Sequence, residues 1–428
     1  MAAPGGPAFD DHDPPRLDLI ADCVHCGFCL PACPTYTLWG AEADSPRGRI
    51  HLMAQGLQGE PLTESMALHF DRCLGCMACV PACPSGVRYD LLITDTRQQV
   101  ERRHRRPLRE RVLRRAIFGL FPYPRRLKLL RGPLWAYHAS GLRRWVGPRL
   151  SPPLAALEAL APKPVRARRL PGRIPAQGPR RATVGLLTGC VQHAFFPDVN
   201  AATARVLAAE GCDVVVPRSQ GCCGALSMHN GREAQARRFA RAVLDSFGTN
   251  DIDYLVVNAA GCGSALKEYD RLLADVPRAA AFRAKVRDLS EVLVELGPVA
   301  PRHPLPVTVA YHDACHLGHA QGVRAQPRQL LRDIPGLELR EIGDGELCCG
   351  SAGVWNILHP EPARELGAGK AASVLATGAE LLVTANPGCL MQIAAAVRVR
   401  GATIGLAHTA TVLDAAIRGL PVATLRKT

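Results

Sequence analysis

Residues 23–36 read CVHCGFCLPACPTY, and a close copy, CLGCMACVPACPSG, follows at residues 73–86. Each copy carries four cysteines with the spacing C-x2-C-x2-C-x3-C-P. Three cysteines on so short a loop can surround one [4Fe–4S] cube, in which each iron takes one thiolate. The fourth cysteine is carried away on the departing chain. The pattern therefore predicts two [4Fe–4S] clusters in the first hundred residues.

In the two-cluster arrangement the fourth cysteine of each copy ligates the other cube. We therefore expect two ligand sets: Cys23, Cys26, Cys29 and Cys83 on cluster 1, and Cys33, Cys73, Cys76 and Cys79 on cluster 2. Zinc is the alternative metal, but four-cysteine zinc sites usually group their ligands as two separated pairs. The interval between the copies includes the helix-compatible stretch SPRGRIHLMAQGLQG. We expect the clusters to be held between helices.

Composition points to a soluble globular protein of two or three domains, because the 428 residues are 47% hydrophobic and have a mean hydropathy of +0.01. No apolar run approaches the roughly 18 residues of a membrane span, and the N-terminus does not resemble a signal peptide. The expected location is the cytoplasm, with peripheral contact to the inner face of the cell membrane as a further option. In a reducing compartment, 17 cysteines favour metal sites over disulfides.

The chain divides into four predicted segments. Residues 1–100 form the two-cluster head, and residues 101–181 form a basic, proline-rich connector. After residue 182, short β-branched runs alternate with longer Ala/Arg/Leu stretches, which predicts α/β layers with a largely parallel sheet. This tail divides into homologous units at 182–300 and 301–428. The expected fold class is multidomain α+β, with a mainly helical ferredoxin-like head and a duplicated α/β domain.

The duplication is visible in the cysteines of the tail. TGCVQ, GCCGA and AGCGS in the first unit match DACHL, LCCGS and PGCLM in the second, at offsets of 125, 126 and 127 residues. The matched cysteines are Cys190, Cys222, Cys223 and Cys262, then Cys315, Cys348, Cys349 and Cys389. We expect each set to gather at the carboxyl ends of parallel strands, with a helix starting behind each Cys-Cys-Gly. The remaining cysteine, Cys212, is expected to be a small buried hydrophobe.

Six motifs carry a resemblance to a known family: CVHCGFCLPACPTY, DSPRGRI, DRCLGCMACVPACPSGVRY, HDACHLGHAQG, LCCGSAGVWN and NPGCLMQI. Together they resemble the iron–sulfur subunit of bacterial glycolate oxidase. The Cys-Cys-Gly units alone resemble those of the heterodisulfide reductase B subunit. The first resemblance implies an electron-transfer subunit that receives electrons from FAD-containing partner subunits oxidising glycolate to glyoxylate. It would pass them toward the respiratory chain and oxidise no substrate on its own.

The tail departs from the heterodisulfide reductase pattern at one position per unit. Those relatives have a fifth cysteine where this chain has Ala265 and Gln392. A five-thiolate cluster therefore does not carry over, although four thiolates suffice for a conventional cluster, so one or two additional iron–sulfur clusters are expected. A redox-active disulfide is the alternative use of these cysteines. Alternative functions are electron transfer from L-lactate or glycerol-3-phosphate, or heterodisulfide-reductase-like thiol/disulfide chemistry.

The connector concentrates the positive charge of the protein. Residues 102–181 hold 22 Lys and Arg and two Glu, so their local net charge is +20 (22 − 2), which exceeds the net charge of +14 of the whole chain. Its stretch VLRRAIFGLFPYPRRLKLLRGPLW (112–135) predicts an amphipathic element. Residues 101–150 suit contact with an anionic membrane carrying quinone, docking to acidic partner subunits, or a solvated helix pair that covers the head. No nucleic-acid motif accompanies the basic residues, so we expect no nucleic-acid partner.

Three histidines lie close to tail cysteines in the sequence, namely His193, His316 and His319. They are candidates to tune or replace a thiolate ligand, and local hydrogen bonding is the alternative.

Overall fold

The head is built from helices that hold the cysteine loops between them. The computed structural model describes residues 6–146, 149–162, 165, 169–248 and 250–426. The head helices are α1 (Leu17–Ala21), α2 (Pro34–Trp39), α3 (Pro46–Leu57), α4 (Glu64–Arg72) and α5 (Tyr89–Arg103). Ser45 caps α3 by accepting a hydrogen bond from the backbone of Gly48 (3.0 Å). Met53 and Phe70 are fully buried among these helices, together with several cysteines. The expectation of a helical head is confirmed.

The connector forms a chain of helices: α6 (Leu108–Leu120), α7 (Pro124–Leu129), α8 (Arg131–Ala139), α9 (Arg143–Val146) and α10 (Pro152–Leu160). Helix α6 and the turn before it are fastened to the head by partly buried ion pairs. Arg106 donates to Asp71 (2.6 Å), while Glu110 accepts from Arg106 and Arg114 (both 2.7 Å). Its Phe118 packs on Ile357 of the tail. Of the three options considered from the sequence for the connector, the packing of α6 agrees with a helix pair that covers the head.

Helices α7 to α9 leave large apolar side chains in solvent, as the first turns of α6 do with Leu108 and Val112. Leu129, Trp135 and Trp145 are 78%, 63% and 72% exposed, respectively. Leu127 is the buried exception and packs against Phe195 of the tail. Within the described part of the chain, no helix is long and apolar enough to cross a membrane. The exposed apolar residues lie in the segment that the sequence assigns to membrane or partner contact.

The tail contains two sheets, one per repeat. The first sheet has the order β1-β3-β2-β4-β5, and the second has the order β7-β6-β8-β9. Within the named strands every pairing is parallel except that of β1 with β3. The strands are β1 (Arg173–Ile174), β2 (Ala182–Leu187), β3 (Cys212–Val215), β4 (Tyr254–Val257), β5 (Val286–Asp288), β6 (Val307–Tyr311), β7 (Leu337–Glu341), β8 (Leu381–Thr384) and β9 (Gly405–His408). The predicted duplicated α/β architecture is confirmed.

Helices separate successive strands, as parallel pairing requires. The first repeat contains α11 (Val191–Phe195), α12 (Pro197–Ala209), α13 (Ala225–Met228), α14 (Glu233–Gly248), α15 (Ala260–Leu266), α16 (Tyr269–Leu272), α17 (Ala279–Ala284) and α18 (Leu289–Leu296). The second repeat contains α19 (Cys315–Gly318), α20 (Ala325–Arg332), α21 (Trp355–Leu358), α22 (Pro360–Ala376), α23 (Pro387–Val399) and α24 (Thr409–Arg418).

The two repeats share one hydrophobic core. Helix α12 of the first repeat packs on α24 of the second, and α18 of the first packs on α20 of the second. Polar contacts cross the same interface, because Arg205 donates to both oxygens of Asp414 (2.8 and 2.6 Å). Buried His408 donates to the backbone carbonyl of Asn258 (2.7 Å). The repeats are therefore held as one body in which the cysteine-bearing ends of both sheets can meet.

A glycine shapes the Cys-Cys-Gly turn in both repeats. Gly224 and Gly350 each have a φ of +83°, which L-residues rarely adopt. A Cβ at Gly350 would lie 2.8 Å from the carbonyl oxygen of Ala363, at the start of α22. The sequence predicted a helix directly behind each of these turns. Helix α13 does begin directly after Gly224, but in the second repeat α21 begins only at Trp355. Both helices have four residues, so their dipoles contribute little and the turn itself positions the thiols.

The turn geometry predicts a stability difference between two glycine variants. G401A places alanine at a φ of +67° in open space and should cost about 1–2 kcal/mol from the left-handed backbone alone. G350A adds the clash with the Ala363 carbonyl and should lower the midpoint of thermal unfolding, followed by circular dichroism, clearly further. Equal midpoints for the two variants would show that the close approach of the turn to α22 does not constrain the fold.

Candidate metal centres

The cysteines predicted for cluster 1 lie at the surface of the head. Cys26 is exposed, and Cys23, Cys29 and Cys83 are partly exposed. The loop that carries the first three contains Gly27 at a φ of +90°, and Arg47 reaches over it to donate to the backbone carbonyl of His25 (2.8 Å). This set is therefore accessible from outside the protein.

The cysteines predicted for cluster 2 are buried and lie together. Cys33, Cys73, Cys76 and Cys79 line one small cavity of about 20 Å³, although Cys33 comes from the other copy of the motif. The backbone amide of Gly75 donates to Cys73 Sγ (3.4 Å). Two copies of the motif thus contribute to one site, which is the arrangement that exchange of the fourth cysteine requires.

A buried arginine sits beside this second set. Arg49 is 1% exposed and donates to the backbone carbonyl of His69 (2.6 Å) and to Thr35 (3.1 Å). Its counterion, Asp44, is also fully buried. Although burial acts most strongly on the Cys73 thiol and opposes its ionisation, the Arg49 and Arg97 guanidiniums hold the Cys73 pKa below its usual value. Arg49 belongs to the DSPRGRI motif, so this motif supplies positive charge to a thiolate site.

The first tail site gathers Cys190, Cys222, Cys223 and Cys262 at the ends of β2, β3 and β4, as predicted. The Sγ atoms of Cys190 and Cys222 are 3.6 Å apart, and the amide of Gly224 donates to Cys222 Sγ (3.3 Å). Hydrogen bonds from Cys222 and Cys262 lower the pKa of the Cys223 thiol well below its ordinary value. The site therefore favours thiolate over thiol at its centre.

The second tail site repeats this arrangement with Cys315, Cys348, Cys349 and Cys389. Hydrogen bonds from Cys348 and Cys389 lower the pKa of the Cys349 thiol. Asn386 donates to Cys389 Sγ (3.2 Å). The internal symmetry of the tail thus extends from the turns to the electrostatics of the thiols.

Both tail sites open into one cavity of about 210 Å³, and Cys76 of the head lines it as well. Cys76 packs in one cluster with Cys315, Cys348 and Trp355. Burial, and after it the neighbouring Cys315, raise the pKa of the Cys76 thiol well above its usual value. The head and the second tail site are therefore in direct contact.

The positions of the missing fifth cysteines hold no ligand. Ala265 is fully buried in the core of the first repeat. Gln392 donates to the carbonyl of Ala363 (2.8 Å) and accepts from Asn356 (3.0 Å), so its amide is engaged by the protein. Cys212 is also fully buried in the core, as expected.

The three candidate histidines take part in hydrogen bonds. His193 accepts from Lys128 (2.6 Å), and burial, together with that lysine, lowers its pKa to about 4. His316 donates to the carbonyl of Gly75 (2.9 Å), and His319 donates to the carbonyl of Glu346 (2.9 Å). Local hydrogen bonding, one of the two roles considered from the sequence, accounts for all three.

Sequence reasoning missed one histidine. His312 is fully buried, and its ring lies beside Cys349 and Cys389 of the second tail site. Its position after strand β6, three residues before Cys315, is the sequence signal that would have identified it.

The donor chemistry fits iron–sulfur clusters. All 17 cysteines are free thiols. The set predicted for cluster 2 lines one cavity, and the two tail sets line another. Buried polar nitrogens without a partner among the described residues line the shared cavity, namely His229 Nε2 and Trp355 Nε1. Iron–sulfur clusters are held by cysteine thiolates. A buried thiolate needs a cation beside it, which can be a bound metal.

Three protein families match the chain. Residues 20–87 match the 4Fe-4S dicluster domain, and residues 184–267 and 309–394 each match the cysteine-rich domain. Residues 109–161 match the linker region of the glycolate oxidase iron-sulfur subunit. The predicted iron–sulfur cofactors are confirmed by these matches and by the clustered thiols.

Related proteins match over long stretches. The probable glycolate oxidase iron-sulfur subunit of Bacillus subtilis (strain 168) is 40% identical over 392 residues, covering 87% of this chain and 88% of the relative. The glycolate oxidase iron-sulfur subunit of Escherichia coli (strain K12) is 36% identical over 395 residues, covering 89% and 91%. Lactate utilization protein A of an Exiguobacterium species is 30% identical over 242 residues, covering 55% and 98%.

The buried arginine gives a prediction for the head. R49M removes one of the two arginines that pair with the buried Asp44, leaves Arg72 at 2.8 Å, and removes the cation beside Cys73. Breaking a buried ion pair typically costs about 3–5 kcal/mol, and the remaining Arg72 should keep the cost below that range. We expect a lower unfolding midpoint and less iron per chain in protein purified anaerobically. R16M removes an exposed arginine of the same head and serves as the control. The role assigned to Arg49 is wrong if R49M and R16M match in both iron content and midpoint.

Proposed function

Because the chain belongs to the family of glycolate oxidase iron–sulfur subunits, we propose that it is the electron-transfer subunit of a flavin-dependent glycolate oxidase. It receives electrons from a partner that oxidises glycolate to glyoxylate and passes them toward the respiratory chain. Glycolate oxidation takes place on the partner, and this chain contributes the thiolate sites that conduct.

The observation that carries the proposal is the graded burial of the cysteine sets. The set containing Cys26 is at the surface, and the set containing Cys76 is buried against the second tail site. Iron–sulfur clusters supply one-electron redox chemistry when bound to such thiolates. The protein thus provides an accessible site, a buried site and a tail site in contact, which is the order that a conduit needs.

We assign the thiolate sets as the motif spacing predicts. Cys33, Cys73, Cys76 and Cys79 hold cluster 2, supported by the cavity that these four side chains line together. Cys23, Cys26, Cys29 and Cys83 hold cluster 1. The two tail sets hold additional iron–sulfur clusters, supported by the eight thiols that line one shared cavity.

We place the docking face for the FAD-containing partner around cluster 1. Val24 and Phe28 flank Cys26 and are 68% and 65% exposed, and Leu17 is also exposed. Exposed apolar side chains next to a redox site provide the desolvated contact that a protein partner needs. Docking there brings the donor flavin close to the accessible thiolates.

The connector provides a second contact surface. We propose that residues 101–150 place the complex on the inner face of the cell membrane, while the chain itself resides in the cytoplasm. The exposed Trp135 and Trp145 lie beside many arginines, which suits anionic lipid headgroups.

L-lactate is the alternative substrate of the complex. The similarity to lactate utilization protein A covers 98% of that relative and about half of this chain. Both 2-hydroxy acids would be oxidised on the partner, so the substrate must be determined with the partner present.

A reconstitution assay tests the function. The full chain, purified anaerobically with its co-expressed flavoprotein partners, should reduce a dye with glycolate and give little reduction with L-lactate or glycerol-3-phosphate. F28S should weaken flavoprotein capture and dye reduction while leaving the iron content unchanged. V399S, which changes an even more exposed apolar residue in the tail, is the control. Capture of no flavoprotein, or reduction by L-lactate alone, would refute the assignment.

A further inference from the structure

The side chain of His312 is buried without satisfying its polar atoms. Its residue is fully buried, directly after β6, and neither ring nitrogen makes a well-formed hydrogen bond among the described residues. The Cys349 thiol lies beside the ring, and a contact with His312 contributes to lowering the Cys349 pKa. At least one nitrogen of an imidazole carries a proton, so burial with so little pairing is unfavourable. The ring therefore keeps a nitrogen that no described group pairs with.

Two thiols lie beside the ring. One ring nitrogen of His312 and the Sγ atoms of Cys349 and Cys389 all lie within 4.8 Å of one another. Each iron of a [4Fe–4S] cube takes one protein ligand. The imidazole lies close enough to the two thiols to reach an iron of the cluster that they would hold.

The first repeat has no counterpart to this histidine. The first cysteines of the two repeats, Cys190 and Cys315, are 125 residues apart. The same offset pairs His312 with Leu187, which packs in an apolar core with Cys223. Both repeats lack the fifth cysteine, and Gln392 is held by other hydrogen bonds. Within the part of the chain that the structure describes, the second repeat is therefore the one in which a histidine nitrogen lies within 4.8 Å of two tail thiols.

We propose that His312 is a nitrogen ligand of the iron–sulfur centre in the second tail site. The second site then offers five donors for the four irons of a cube, so the imidazole takes one iron in place of a thiolate, while the first site offers thiols alone. Replacing a thiolate by a neutral imidazole removes a negative charge from the centre, and such histidine ligation raises the potential of iron–sulfur centres. The second site, which contacts Cys76, becomes the more easily reduced of the two.

The competing role is a hydrogen bond from the His312 ring to the Cys349 thiolate. The residues that line the shared cavity include Cys349 and Cys389 but not His312, so the ring lies behind the two thiols. A hydrogen bond would tune the centre without any iron–nitrogen bond. The two roles differ in the iron environment, which is directly measurable.

Mössbauer spectroscopy of ⁵⁷Fe-labelled protein detects every iron, whatever its spin state. The full chain is compared with H312L, which reproduces the leucine of the first repeat, and with H312C, which offers a thiolate instead. H319Q is the control, because His319 follows Cys315 by four residues but is hydrogen-bonded to the carbonyl of Glu346. Circular dichroism establishes that each variant is folded, and H312C is used if H312L is not.

We expect one nitrogen-ligated iron environment in the wild-type protein and in H319Q. It should disappear from H312L, and should convert to an all-sulfur environment in H312C with the iron retained. Spectra and iron content identical in the wild type and H312L, or iron accounted for by all-sulfur sites alone, would overturn the proposal. These spectra do not depend on which substrate the partner oxidises, so failure of the glycolate assignment would be a separate result.

Discussion

The contact between the head and the second repeat is the constraint on which the remainder of the structure depends. Cys76 of the head packs with Cys315 of the tail, and His316 donates to the carbonyl of Gly75 next to Cys76. Arg97 of the head adds a hydrogen bond to the carbonyl of His229 in the first repeat (2.8 Å). These contacts position two thiolate sites against each other through buried side chains, so their separation does not depend on the connector.

The duplicated tail explains why two sites share one cavity. Each repeat brings three strand ends together, and the crossed helix packing of the repeats turns those ends toward each other. The carboxyl ends of parallel strands are where α/β sheets place their sites. Duplication thus produces a pair of sites without new architecture, and single substitutions, such as histidine for leucine at position 312, can then make them different.

Much of this structure could be predicted from the sequence because cysteine spacing is a local signal. The helical head, the strand runs and the proposed cysteine sets follow from short motifs, each a few residues long, that recur at a nearly constant offset. The resemblance to the glycolate oxidase subunit, seen in six motifs, is confirmed by relatives that match along most of the chain.

The remaining features depend on tertiary contacts. The helix expected directly behind Gly350 begins five residues later, at Trp355, because local patterns do not reveal where the turn packs on α22. His312 was missed because its importance depends on Cys349 and Cys389, which are 37 and 77 residues away. Similarly, no local pattern indicates that Arg49 lies beside Cys73, on the second copy of the motif.

The central claim is that the head holds two [4Fe–4S] clusters through which electrons move one at a time. Electron paramagnetic resonance of the anaerobically purified chain, reduced with dithionite and recorded at low temperature, tests it most directly. The account predicts signals from two neighbouring reduced clusters, with the magnetic interaction expected for sites packed in one small domain. Protein that shows no paramagnetic iron after reduction would contradict it.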